Sequence, residues 1–143
     1  MSNPETEILV SELTINNELS EVPKMNQWLK ENLNKCQVSP EVLFRFDLGA
    51  NEAIINIISY AFQDQKNHQI SLKLLAQGDI ASLLITDYGY PFNPLEASDP
   101  EIPISVEAAE IGGLGIKLIK NFIDNCEYSR SDDRNILRLT NNI

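Results

Sequence analysis

Cysteine is scarce in this chain, and the two that occur, Cys36 and Cys126, are ninety positions apart. Two distant thiols build neither the disulfide framework of a small secreted domain nor a Cys-based metal site. Basic residues are also few: 11 Lys and Arg stand against 21 Asp and Glu, a formal charge of -10. That balance argues against nucleic acid or an anionic membrane as a direct partner, because bulk electrostatics would repel both. It leaves room for a nucleotide, whose phosphates can be held locally by backbone N–H groups and a metal ion. No apolar run is long enough to span a bilayer. The start, MSNPETEILV, lacks the basic-then-apolar pattern of a signal peptide, so a cytoplasmic protein is expected. Histidine occurs once, as His68 beside Asn67 in a polar connection, where a surface role is the simplest reading. There is no GxxxxGK[ST] loop and no GxGxxG directly after a strand. Internal repeats and low-complexity stretches are missing too. With 143 residues, 43% of them apolar, the chain reads as one domain over residues 1–143.

The stretch Gly49–Phe62, GANEAIINIISYAF, organises what remains. Leu43, Phe46, Ala50, Ala53, Ile57 and Ala61 recur at three- and four-residue steps and form one apolar helix face. Leu48, Ile55, Ile58 and Phe62 form a second. Between them runs Arg45, Gly49, Glu52, Asn56, Ser59 and Gln63, again at helical steps. Glu52 and Asn56 therefore project from one side of a helix that is otherwise largely apolar. Such groups are costly there unless they meet partners.

The other elements follow from pattern. Glu7–Ile15 is short and rich in β-branched residues, so a strand is predicted. Leu19–Asn34 carries apolar residues near helical spacing, with Pro23 in the first turn and Trp28 as a core anchor. Ser39-Pro40-Glu41 reads as an N-cap, a first-turn proline and a first-turn acid, launching the central helix, which runs to about Phe62. Gln69–Leu75 and Ile80–Thr86 are strand-like and separated by Ala76–Asp79, where Gly78 and Asp79 suit a hairpin turn. Leu95–Ile111, with Pro100 and Pro103, reads as a long irregular segment, a kind usually functional or disordered. A helix over Ile116–Asn125 follows, and Cys126–Ser129 with Asn135–Thr140 closes the chain as a strand pair.

Three places carry chemistry. Gly112, Gly113 and Gly115 precede a helix, where bare backbone can approach a ligand and unpaired N–H groups favour phosphate; a tight loop would serve the same glycines. Asp87 ends an apolar strand and is followed by Tyr88-Gly89. A carboxylate there can accept from an exocyclic amine, and equally can cap its own turn. Asn56 offers a hard oxygen suited to Mg²⁺, and Glu52, one turn earlier, can orient or deprotonate a nucleophile.

In order, N-E-A-I-I-N-I-I-S-Y-A-F, D-Y-G-Y-P-F-N-P and G-G-L-G-I-K-L-I-K-N-F-I-D resemble the three ATP-binding boxes of the GHKL superfamily. The chain is most similar to its small stand-alone members, the anti-sigma-factor serine/threonine kinases, from Glu7 to Thr140. The resemblance implies an α+β fold, a Bergerat-type two-layer sandwich with a mixed, mostly antiparallel sheet and helices on one face. It implies ATP and Mg²⁺ as cofactors, with Glu52 as general base or water orienter and Asn56 as the metal ligand. Asp87 would read the adenine amine and Gly89 would let the base approach. Gly113, Leu114 and Gly115 would hold the phosphates, and Leu95–Ile111 would be the ATP lid. The implied partners are an anti-anti-sigma (STAS-like) antagonist protein, phosphorylated on Ser or Thr, and a sigma factor; such proteins are often homodimers. Two departures stand out. Ser59 replaces a histidine common among relatives, and Glu110-Ile111 stands where some of these kinases place an arginine. The second favours an alternative, a nucleotide-sensing protein-binding module of the same fold without phosphoryl transfer. The catalytic piece of a histidine kinase ranks last, because no helix pair with a phosphoacceptor histidine is present.

Overall fold

A computed structural model describes residues 6–64, 66–96 and 115–143, with side chains of the last segment from residue 119 onward. The predicted lid and the glycines Gly112 and Gly113, with Leu114, thus lie almost wholly outside the described residues. Chain order is β1 (Ile8–Asn16), a short 3-10 turn (Leu19–Glu21), α1 (Val22–Lys35), α2 (Pro40–Tyr60), β2 (Gln69–Gln77), β3 (Ile80–Asp87), α3 (Gly115–Phe122), β4 (Asn125–Ser131) and β5 (Arg134–Asn142).

The five strands form one sheet in the order β1-β2-β3-β5-β4. Every pairing among the described residues is antiparallel. Because side chains alternate across a strand, residues in register share a face. Two rows on the covered face are mostly apolar: Leu13, Leu72, Ile85, Leu137 and Tyr128, then Ser11, Leu74, Leu83, Leu139 and Cys126. The row at the end of the sheet changes character across its width, running Ile15, Ile70, Asp87, Asn135 and Arg130. A polar patch is thereby written into the register at one end of the core. The helices cover this face, with Met25, Leu29 and Leu33 of α1, Phe46, Ala50, Ala53, Ile54 and Ile57 of α2, and Ile119 of α3 in the shared core. This is the expected α+β two-layer sandwich.

Local chemistry explains the boundaries. Ser39 caps α2, its Oγ accepting from the Val42 N–H at 3.2 Å, and Pro40 occupies the first turn. Pro23 likewise sits in the first turn of α1. The tight turns at Gly78 and at Asp132–Asp133 adopt positive φ, which suits two-residue hairpins. Trp28 is half-buried rather than central, and its indole N–H donates to Ser11 Oγ at 3.0 Å. Helix α2 stops at Tyr60, two residues before the predicted end. The carbonyl of Ala61 accepts from the Tyr90 N–H at 2.8 Å, so the chain turns toward the loop after β3. Helix α3 also ends early, at Phe122, because Asp124 leaves helical geometry to bind the far end of the sheet. Its N–H donates to Asn141 Oδ1 at 2.6 Å, and its Oδ2 accepts from the Asn142 N–H at 2.9 Å.

The line Arg45–Gly49 on α2 is where α3 and its exit dock. The Arg45 Nε donates to the Phe122 carbonyl at 3.1 Å and its Nη2 reaches Asp124 Oδ1 at 3.2 Å. Phe44 meets Phe122 edge to face at 6.0 Å. A Cβ added to Gly49 would lie 2.6 Å from Ile123 Cγ1. A methyl added at this point would thus press on the Ile123 side chain, which would have to shift, whereas the backbone conformation itself makes no demand for glycine. Gly49→Ala should lower stability by about 1 kcal/mol, overpacking outweighing the gain in helix propensity. Urea denaturation checks this, and a raised midpoint would show that α3 does not press on this point.

Candidate functional site

Asp87 is the last residue of β3 and is 1% exposed. A buried carboxylate needs donors, and two reach its Oδ1: the Gly89 N–H at 2.7 Å and the Asn135 Nδ2 at 3.0 Å. No hydrogen bond to its Oδ2 occurs among the described residues. Burial pushes the carboxyl above the usual range, and the Asn135 amide, the Gly89 N–H and the Arg130 guanidinium pull it back in part.

Gly89 lies against the end of α2. A Cβ there would stand 2.4 Å from the Ala61 carbonyl oxygen and 2.9 Å from Asp87 Oδ1. The fold alone thus demands glycine, whatever a ligand requires. Beside it a cleft of about 300 Å³ opens between Ala61, Phe62, His68, Tyr88, Tyr90 and Arg130. His68 borders this cleft, stacked on Phe62 at 4.9 Å with its Nε2 2.8 Å from Asp64. Among the described residues no hydrogen bond joins it to Asp87 or Glu52, and it acts on Asp87 only as a minor charge effect. A larger groove of about 470 Å³ lies between α1 and the first half of α2, lined by Pro23, Lys30, Leu43, Phe44 and Asp47. None of the predicted site residues borders it.

On α2, Asn56 is 2% exposed and its Nδ2 is buried with no hydrogen-bond partner among the described residues. An unpaired buried amide costs on the order of 1–3 kcal/mol. Glu52, one turn earlier, is half-buried, and loss of water raises its carboxyl above the ordinary range. Both continue the line that begins with Arg45 and Gly49 against the α3 exit. Gly115 is the first residue of α3; Gly113 and Leu114 lie outside the described residues. Three or more His, Cys, Asp or Glu gathered to hold a metal do not occur among the described residues. The orphaned Nδ2 of Asn56 is a donor and cannot itself ligate a cation; the amide oxygen of the same side chain is a hard ligand of the kind Mg²⁺ takes alongside phosphates and water rather than in a protein-only cage.

One residue of this site, part of the Arg130–Asn135 stretch that also resembles the anti-sigma kinases, received no role from the sequence. Asn135 is 3% exposed and touches Asp87, Tyr90, Phe92, Tyr128 and Arg130. An asparagine near a hairpin gives no local signal; only the register opposite Asp87 reveals it.

This fold and this polar sheet end define a class, the histidine kinase-like ATPase domains. The model of that family matches residues 15–141, and the chain belongs to it. It is 34% identical over 113 residues to the serine/threonine-protein kinase BtrW of Bordetella bronchiseptica, covering 79% of this chain and 80% of that one. It is 32% identical over 96 residues to the serine-protein kinase RsbW of Listeria monocytogenes, covering 64% of this chain and 60% of the relative. The anti-sigma F factor of Oceanobacillus iheyensis is 25% identical over 84 residues, 59% of this chain and 58% of that protein. In three dimensions the chain is similar to the crystal structure of the RsbU and RsbW domains of Rv1364c from Mycobacterium tuberculosis. The TM-score is 0.61 at 12% identity, covering 92% of this chain and 32% of the other, a likeness of fold. No described helix is long and apolar enough to cross a membrane.

The raised carboxyl of Asp87 sets a sign. Between its ordinary value and its raised folded value, the folded state holds the extra proton, so stability falls as pH rises through that window. Asp87→Asn keeps an acceptor for Gly89 and Asn135 without the buried charge. Without nucleotide it should melt no lower than the native protein at pH 8, with the margin narrowing toward pH 4. Differential scanning calorimetry across that range decides it, and a variant less stable at pH 8 contradicts the desolvation cost.

Proposed function

We propose that this protein binds ATP with Mg²⁺ between α2 and the glycine-opened start of α3, and transfers the γ-phosphate to a serine or threonine of a small antagonist protein of the anti-anti-sigma (STAS-like) type. It also binds a sigma factor, whose availability the phosphorylation controls. The observation that carries the nucleotide part is the buried Nδ2 of Asn56, a donor with no hydrogen-bond partner among the described residues, on the same helix side as Glu52. Natural cores pair such groups, and one left open beside a carboxylate marks a place kept for something else. The three boxes in sequence and the names of the relatives support the kinase part.

In this reading each residue has a bounded task. The Asn56 oxygen would hold Mg²⁺, which would neutralise charge on the phosphates. Asp87 accepts from the exocyclic amine of adenine through Oδ2. Gly113, Leu114 and Gly115 offer backbone N–H groups to the phosphates at the start of α3. Glu52 accepts the proton of the substrate hydroxyl as that oxygen bonds to the γ-phosphorus. The bond from the γ-phosphorus to the bridging oxygen breaks, and ADP leaves. A carboxyl raised by desolvation is a stronger base than a solvated one, which suits this task.

Two measurements test the reading. With saturating MgATP at about 100 times Kd, the native protein should gain about 2.7 kcal/mol of stability by mass action; Asn56→Ala should lose the magnesium-dependent part of that gain. With labelled ATP and the candidate antagonist, Glu52→Gln should lower transfer by about 10²–10⁴-fold while still binding ATP. The acid limb of the native rate profile should lie above an ordinary glutamate value, since activity needs Glu52 ionised and burial raises its pKa. ATP binding with nucleotide-dependent partner affinity and no transfer would establish the non-catalytic module instead, the outcome to which the Glu110-Ile111 departure points.

A further inference from the structure

The site described above leaves one question of geometry. A free carboxylate on a strand end has two equivalent oxygens and can turn about its own axis, so it reads an incoming base poorly. We propose that Asn135 is the positioning residue that removes this freedom and sets the preference for a 6-aminopurine over a 6-oxopurine. This rests on the nucleotide reading given above and extends it to a residue outside the three boxes.

The donor and acceptor inventory permits one arrangement. An ionised carboxylate and a peptide carbonyl only accept; a peptide N–H and a guanidinium only donate. Asn135 faces both kinds. Its Nδ2 donates to Asp87 Oδ1 at 3.0 Å and to the Tyr90 carbonyl at 2.7 Å, which uses both of its hydrogens. Its Oδ1 accepts from the Phe92 N–H at 3.2 Å, from the Tyr128 hydroxyl and from Arg130 Nη1 at 3.1 Å. A flipped amide would set an oxygen against the carboxylate and an NH₂ against Arg130, so the side chain has a single orientation. The segment after β3 is tied down at the same time. Arg130 Nη1 donates to the Gly89 carbonyl at 2.8 Å, and the Tyr90 N–H donates to the Ala61 carbonyl.

Asp87 Oδ1 is consequently spent on two donors, Gly89 N–H and Asn135 Nδ2. Oδ2 is the oxygen left to accept from a base. A 6-amino group gives it a hydrogen; a 6-oxo group presents lone pair to lone pair and is repelled. The sharper the hold on the carboxylate, the larger this difference, because a buried acceptor left unpaired is penalised.

The test measures Kd by calorimetry for MgATP, MgITP (6-oxo) and the Mg complex of purine riboside triphosphate, which has hydrogen at that position. The native protein should prefer ATP to both. Asn135→Asp has the same shape and keeps the acceptor oxygen, but replaces the two N–H donations by at most one proton shared between facing carboxyls. It should cut the ATP-to-ITP preference at least tenfold, with purine riboside triphosphate changed less than threefold. Asn135→Ala should do the same, and it carries the comparison should the first variant melt below the assay temperature. Tyr128→Phe removes one donor to Asn135 and leaves both of its donations; the preference should change less than threefold. Equal weakening of all three nucleotides in the Asn135 variants would assign the residue a purely structural part and overturn the proposal. A Tyr128→Phe loss as large as that of Asn135→Asp would overturn it too. Native protein that binds ATP and ITP equally would refute discrimination by this carboxylate while leaving ATP binding intact. Native protein that binds none of the three would refute the nucleotide reading itself, and this inference with it.

Discussion

A carboxylate buried to 1% exposure at the end of β3 is the constraint from which much of the molecule follows. Asp87 cannot stay ionised there without donors, and the donors cannot come from the apolar rows beside it. They come from its own loop through Gly89 and from the next strand through Asn135. Strand β5 must therefore lie directly against β3, in a register that sets Asn135 opposite Asp87. Gly89 must lack a side chain, because the end of α2 occupies that space. The loop, two strands and the central helix are thus locked around one charge. The charge remains expensive, as its raised pKa records. A sequence optimised for stability alone would place an apolar residue there.

The central helix shows the same conflict between stability and use. Its lower half satisfies its polar line: Arg45 holds the α3 exit and Gly49 makes room for Ile123. One turn further the pattern changes. Glu52 is partly stripped of water, and Asn56 is buried with an open N–H. Ordinary packing logic would close those positions. Departures from consistency between local chemistry and fold gather where a protein handles a ligand. Here they occur one and two turns beyond Arg45 and Gly49, the residues of α2 on which the end of α3 docks.

Most of the architecture could be read from periodicity, because the signals were local. The strands and the two long helices appear where alternation and three-to-four spacing place them, as do the Ser39 cap, the first-turn prolines and the Gly78 turn. Errors fell where long-range contacts decide. Ile54 belongs to neither apolar face read from the spacing, yet it is fully buried, because α1 and α3 pack on α2 in addition to the sheet. Helices α2 and α3 end early because Ala61 bonds to the Tyr90 N–H and Asp124 bonds to the Asn141 side chain and the Asn142 N–H. Glu52, Asn56 and Asp87 stood out as acids and amides among apolar neighbours. Asn135 did not, since its importance lies in a partner 48 positions away. Gly89 was singled out for a ligand's sake, and the structure adds a packing reason that sequence spacing could not supply. The glycines at 112 and 113 and the predicted lid lie outside the described residues.

The central claim is that the open amide of Asn56 and the half-committed carboxylate of Asp87 face one bound nucleotide. Side-chain amide signals in a ¹⁵N-labelled sample report on this directly. On addition of MgATP, the Asn56 and Asn135 NH₂ resonances should shift strongly. Those of Asn32, whose buried Oδ1 lies in α1 away from the site, should stay in place. Shifts confined to the groove between α1 and α2, around Lys30 and Phe44, with Asn56 and Asn135 unmoved, would contradict the account.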